Sequence, residues 1–233
     1  DTEAALDALQ KIEISMHCWQ TDDVVGFEPK AGALSGGIQT TGNYPGRARN
    51  IDEVRADLEK VMSLLPGKQR INLHEIYGDF GNTFVDRDQV GIEHFKSWME
   101  WADEQKVNLD FNSSSFSHPK IGNNSLSSPD EGIRQFWIEH TKRCRHIANE
   151  FGKHQGSTCY MNLWIHDGSK DTTVNRMKYR ELFADSLDQI FAVDEPMMRT
   201  GLESKVFGIG LESYTVGSNE FCMGYATKHQ QYL

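Results

Sequence analysis

Val206-Phe-Gly-Ile-Gly-Leu-Glu212 is a short apolar run that ends on a carboxylate, and Ser213-Tyr-Thr-Val-Gly-Ser-Asn-Glu-Phe221 follows it. Such a run predicts a buried strand. A carboxylate at the C-terminal tip of a buried strand is where α/β barrels place their chemistry. The sequence stops soon afterwards, at Leu233. If Glu212 binds a metal ion, most of its co-ligands are expected beyond that point. The chain then reads as part of an enzyme.

Four further runs resemble the first. They are Glu-Ile-Ser-Met-His-Cys-Trp at 13–19, Ile-Asn-Leu-His-Glu-Ile-Tyr at 71–77, Val-Asn-Leu-Asp-Phe-Asn at 107–112 and Thr-Cys-Tyr-Met-Asn-Leu-Trp-Ile-His at 158–166. Each is short, mostly apolar and followed by Gly, Ser, Asn or Asp, the usual punctuation of a strand. With 206–212 as the fifth, helical patterns fill the gaps. Val54, Leu58, Val61, Met62 and Leu65 recur at helical spacing, and Pro66-Gly67 stops them. A helix over 92–105 would bury Phe95, Trp98, Met99 and Ala102. Ser128-Pro129 with Glu131 predicts a capped helix start, and Gly152 its end. Residues 179–191 form a fourth such helix, and 1–11 the end of another.

Regular βα alternation implies parallel strands joined by right-handed crossovers. An open doubly wound sheet would carry a glycine fingerprint at its first turn. The stretch Gly36-Gly-Ile-Gln-Thr-Thr-Gly-Asn-Tyr-Pro-Gly46 matches neither GxGxxG nor a P-loop. The pattern therefore favours a (β/α)8 TIM barrel, with residues 1–233 as one incomplete barrel domain containing about the first five βα units. Five strands of eight would leave two open edges and an uncovered apolar interior, which favours aggregation. The connection over 20–50 is long for a βα loop and predicts an active-site lid, with Gly36, Gly37, Tyr44 and Pro45 as its flexible and aromatic elements.

The composition limits the partners. Net charge is −10, and 38% of residues are hydrophobic. Mean hydropathy is −0.58 and the pI about 5.4. An acidic balance argues against a nucleic-acid surface. No apolar run approaches the roughly 20 residues needed to span a bilayer. Cys18, Cys144, Cys159 and Cys222 are widely spaced and include no CxxC pair, so free thiols in a reducing compartment are expected.

In a parallel barrel the strand tips converge on one mouth. Here they offer His17 and Trp19, then His74 and Tyr77, then Asn112 with Phe116 and His118, then Trp164, His166 and Asp167, then Glu212. Aromatic faces cover C–H surfaces and polar groups meet hydroxyls, so the mouth suits a sugar. Each residue also has an ordinary structural reading. A strand-end His is commonly structural, Trp19 and Trp164 are core candidates, Glu220 is a solvated helix residue, and Asp167-Gly-Ser-Lys170 is a turn signal. His74-Glu75 is not an HExxH zinc motif, since position 78 is Gly78. Cys18 beside His17 is not a nucleophile–base pair, because strand neighbours point to opposite faces.

Ser15-Met-His-Cys-Trp-Gln20, Gly36-Gly-Ile-Gln39, Thr41-Gly-Asn-Tyr-Pro-Gly46, Leu109-Asp-Phe-Asn112, Phe116-Ser-His-Pro119, Ile133-Arg-Gln-Phe-Trp-Ile138 and the block from Glu212 to Phe221 together resemble the bacterial L-rhamnose isomerase family. The resemblance runs along essentially the whole chain. It implies a (β/α)8 barrel, a cytoplasmic homotetramer and the aldose–ketose conversion of L-rhamnose to L-rhamnulose. It implies Mn²⁺ or another divalent cation such as Mg²⁺, Co²⁺ or Zn²⁺, with one structural and one catalytic site. Glu212 matches the family's structural-metal ligand, and the other ligands belong to the family's C-terminal half. By the same resemblance His74, Tyr77 and Trp164 are expected to bind substrate. Tyr214 stands where some relatives carry a lysine. Another metal-dependent TIM-barrel sugar isomerase or epimerase, a phosphodiester-cleaving barrel and an inactive fragment used as a binding module are the alternatives.

Overall fold

The computed structural model describes residues 1–18, 26–27, 48–81, 83–115, 118–122, 124–205 and 213–229, and the structural statements below concern these residues. The elements are α1 (Thr2–Leu9), β1 (Ile14–His17), α2 (Ile51–Leu64), β2 (Gln69–His74), α3 (Lys96–Gln105), β3 (Asn108–Asn112), α4 (Glu131–Gln155), β4 (Cys159–Trp164), β5 (Gly168–Ser169), α5 (Arg176–Phe191), β6 (Met198–Glu203), β7 (Tyr214–Thr215) and α6 (Asn219–His229). Among the described residues five strands form one parallel sheet in the order β1-β2-β3-β4-β6. Every neighbouring pair in that sheet is joined by a helical crossover.

Among the described residues the fifth parallel strand is 198–203, and the expected strand over 206–212 lies outside them. Arg199, Thr200 and Gly201 interrupt the apolar run between Met198 and Leu202 and hide the strand. Its partner is unambiguous, because β6 pairs with β4 from Cys159↔Met198 to Trp164↔Glu203. The second strand also differs from expectation. It ends at His74, where pairing with Asn112 of β3 ends, and Glu75–Tyr77 turns into a 3-10 helix. Gly168–Ser169 is a short strand rather than a turn, because it pairs antiparallel with Tyr214–Thr215.

Side chains alternate across the sheet as a pleated strand requires. One face carries Ile71, Leu73, Leu109, Phe111, Cys159, Met161, Leu163, Met198 and Leu202, all buried. The helices cover that face. Phe111 meets Phe95 edge-on at 5.1 Å and Phe151 at 5.6 Å, joining β3 to α4 and to the turn before α3. Each such fully buried ring stabilises the fold by roughly 1.5–3 kcal/mol.

The other face is not apolar, contrary to expectation. It presents Ser15, Arg70, Asn72, Asp110, Tyr160, Asn162, Arg199 and Glu203, and these line a cavity of about 930 Å³. The two edge strands β1 and β6 contribute to the same cavity, so the sheet is curled with this polar face concave.

Helix ends follow local chemistry. Asn50 caps α2 by accepting from the Glu53 amide at 3.0 Å. Asp130, not Ser128, caps α4, accepting from the Ile133 amide at 3.0 Å. That helix runs past Gly152 to Gly156, whose φ of +62° terminates it. Gly152 has a packing role instead, since a Cβ there would collide with the Met197 carbonyl. Helix α1 exists as predicted but buries no residue.

Candidate active site at the strand tips

The C-terminal ends of the parallel strands bring His17, His74, Asn112, Trp164 and Glu203 to one end of the sheet. Register fixes their neighbours, with His17 opposite Asn72, His74 opposite Asn112, Asn112 opposite Asn162 and Trp164 opposite Glu203. Pleating puts the imidazoles, amides, indole and carboxylate of these pairs on the concave side. Asn162 Nδ2 donates to Glu203 Oε2 across β4 and β6.

His74 is completely buried, and its amide donates to Cys18 Sγ at 3.1 Å. Burial lowers its pKa well below 6.5, and the positive charge of Arg87 acts in the same direction. His74 is thus a neutral imidazole at pH 7. Partial desolvation lowers the pKa of His17, and Glu203, on the opposite edge strand, pulls against it. The influence of Glu203 on His17 is a second sign of the curl.

Tyr77 is fully buried in the hydrophobic core. Trp98 Nε1 donates to its carbonyl at 2.8 Å, and Phe27 meets its ring edge-on at 5.3 Å. The Phe27 amide donates to the Ile76 carbonyl at 3.0 Å, which fastens part of the long first connection beside the second strand tip. The preceding Gly26, at φ +52°, lies so close to that carbonyl that a Cβ would overlap it. Trp164 is half-buried, and the buried Lys205 places Nζ 6.0 Å from its ring centroid. Lys205 Nζ also donates to the His166 carbonyl at 2.7 Å. The expected metal ligand Glu212, the lid residues Gly36, Gly37, Tyr44 and Pro45, and Trp19 and Phe116 lie outside the described residues.

Two neighbouring networks are structural. Asp167 accepts four hydrogen bonds, from the amides and hydroxyls of Ser125 and Ser127 at 2.6–2.9 Å, and clamps the loop before α4 to the end of β4. Behind the tips of β2 and β3, Arg87 lies 3.6 Å from Glu75 and donates to the Ser114 carbonyl at 3.1 Å, while His140 Nδ1 donates to the Arg87 carbonyl at 3.0 Å. Tyr214 is buried and donates to the Arg176 carbonyl at 2.8 Å, a structural tie. All four cysteines are buried thiols outside any disulfide. Burial pushes the Cys144 and Cys159 thiols well up and Cys222 to about 11, so none of these three is a thiolate nucleophile.

Sequence reasoning missed Asn72, Asn162, Arg199 and Glu203 as residues of the concave face. Their signal was the alternation of polar with apolar residues along each strand. Among the described residues no three His, Cys, Asp or Glu gather as a metal cluster. No described helix is long and apolar enough to cross a membrane.

Comparisons with known proteins agree with this layout. A 3-keto-D-glucoside 4-epimerase from E. coli, solved in its apo form, is similar in fold, with a TM-score of 0.50 and 12% identity over 84% of this chain and 64% of that one. An L-rhamnose isomerase from Bacteroides thetaiotaomicron is 68% identical over 231 residues, 99% of this chain and 55% of that protein. Those of Rhodopirellula baltica and Escherichia coli are each 52% identical over the whole chain, covering 55% and 56% of their own lengths. The chain thus spans about half the length of the curated relatives it matches. The L-rhamnose isomerase (RhaA) family model matches residues 1–233. The chain belongs to the L-rhamnose isomerase family.

Proposed function

We propose that the protein carrying this chain interconverts L-rhamnose and L-rhamnulose, with these 233 residues forming the first part of a (β/α)8 barrel and, by themselves, an inactive part of the site. The observation that carries the reading is 68% identity to an L-rhamnose isomerase across 99% of the chain. The curled parallel sheet and its polar concave face support the barrel.

The reaction is an internal redox exchange. One hydrogen is lost at C2 and one gained at C1, and the C2 hydroxyl becomes a carbonyl as the C1 carbonyl becomes a hydroxyl, so no external oxidant is required. The residues of this chain bind and orient. Trp164 covers the apolar face of the sugar and excludes water. Neutral His74 offers an imidazole for hydrogen bonding to a sugar oxygen without adding charge. Glu203 and Asn162 hold one another at the rim. A divalent cation, Mn²⁺ or alternatively Mg²⁺, Co²⁺ or Zn²⁺, would be held by Glu212 and ligands beyond this chain, and would act as a Lewis acid on the sugar oxygens. The first connection over 20–50, with Gly36, Gly37, Tyr44 and Pro45, is proposed as the lid. The protein is proposed to be a cytoplasmic homotetramer without nucleic-acid or membrane partners.

The test is an assay of the full-length protein on L-rhamnose and a panel of other aldoses, with and without EDTA, alongside light scattering. L-Rhamnulose formation that EDTA abolishes, by a particle of four chains, is the expected result. Turnover that survives complete metal removal sinks the metal-dependent mechanism, and preference for another sugar sinks the substrate assignment.

A further inference from the structure

Asn72 and Asn112 lie on the concave face of β2 and β3, only 8% and 5% exposed. Their Oδ1 atoms are buried and accept no hydrogen bond from the described residues. Buried polar atoms in native proteins are nearly always paired, so two such acceptors on one face call for donors. Asn112 Nδ2 donates to the Ser113 carbonyl at 3.3 Å, which leaves the oxygen as the end of the amide that still lacks a partner among the described residues. Asn72 lines the cavity itself and stands in register with His17, while Asn112 stands in register with His74 and Asn162. Arg70, on the same strand face two residues before Asn72, already directs its guanidinium to Asp110 and Glu13, so it does not supply these donors. Hydroxyl groups are the simplest neutral donors.

Resting on the isomerase reading, we propose that Asn72 and Asn112 form an acceptor floor that receives hydroxyl hydrogens of the bound sugar at the bottom of the concave face. The site then recognises a polyol by its donors, independently of the metal and of the reacting carbons.

The experiment uses the full-length protein with Asn72→Leu, Asn112→Leu and Asn112→Asp. Leucine removes the acceptor at similar volume, and aspartate retains one. Three quantities are measured: thermal stability without ligand, affinity for the non-reacting polyol L-rhamnitol, and kcat/KM on L-rhamnose. The leucine variants are expected to keep or raise their Tm and to lose about 10- to 100-fold in polyol affinity. Asn112→Asp is expected to recover most of that loss. A lowered Tm with unchanged polyol affinity means that protein groups fill these acceptors, and it overturns the proposal. Unchanged affinity at unchanged Tm overturns it as well. If a leucine variant does not fold, the corresponding alanine variant is read by the same criteria. A wild-type protein that binds the polyol through these residues but does not isomerise L-rhamnose refutes the isomerase reading alone. Normal isomerisation with variants of normal affinity refutes the floor alone.

Discussion

Arg70 grips Asp110 with a two-pronged hydrogen bond, Nε to Oδ2 at 2.9 Å and Nη2 to Oδ1 at 2.8 Å, with the two side chains 6% and 1% exposed. Ser15 Oγ donates to the same carboxylate at 2.7 Å and the Tyr160 amide at 2.8 Å, so one aspartate ties β1, β2, β3 and β4 together. Arg70 also reaches Glu13 at 3.2 Å and the Thr158 carbonyl at 2.9 Å. These contacts lie toward the N-terminal ends of the strands, away from the candidate site at the strand tips.

Removing one partner leaves a buried charge. Asp110→Ala and Arg70→Met are each expected to destabilise by about 3–5 kcal/mol, because desolvation is then uncompensated. The double variant Arg70→Met/Asp110→Leu is expected to cost much less than the sum. Denaturant unfolding of the four proteins completes the cycle, and strict additivity contradicts the pairing.

Asp167 differs from Asp110 in having no cation within its four hydrogen bonds. Asp167→Asn points an amide donor at two hydrogen-bond donors of one serine. A loss of about 1–3 kcal/mol is expected. Amide exchange should rise mainly in residues 122–128 and 164–170, and a uniform rise along the chain would contradict the clamp.

Two glycines of one helix separate two physical causes. Gly152→Ala would drive a methyl into the Met197 carbonyl, and this backbone clash is expected to cost about 3 kcal/mol or more. Gly156→Ala meets open space and suffers only from its φ of +62°, about 1 kcal/mol. Equal Tm losses in the two variants would show that the α4–β6 contact yields freely.

Acid sensitivity has an identifiable source. Burial holds the pKa of His140 at about 3, down from 6.5, and the neighbouring Arg87 charge adds to the effect. The unfolded chain therefore takes up this proton below pH 6.5 while the folded protein refuses it until about pH 3. Stability is full above pH 6.5 and falls as pH drops through that window. His74 contributes in the same sense. His140→Gln is expected to make the stability–pH curve shallower by about 1.4 kcal/mol per pH unit within it. An unchanged slope contradicts a neutral buried His140.

Much of this layout was legible in the residues. Four of the five parallel strands, the four long helices and the position of His74 at a strand tip follow from apolar spacing and punctuation. The polar concave face was present too, in the alternation of Arg70, Asn72 and His74 with Ile71 and Leu73. It was obscured because parallel strands covered on both faces read as continuous apolar runs, so polar alternation is not anticipated there. Glu203 went unseen because its strand carries arginine, threonine and glycine in the middle. The Arg87–Glu75 contact has no sequence signature, since it depends on a loop folding back beneath α4.

The wettable inner surface of the curled sheet bears on biosynthesis. Sheet neighbours are consecutive parallel strands, so each βα unit can dock on its predecessor as the ribosome releases it. A greasy inner wall would invite chaperones or neighbouring nascent chains during that interval. Arg70, Asp110, Asn162 and Glu203 instead make that face compatible with water, while helices cover the opposite, apolar face.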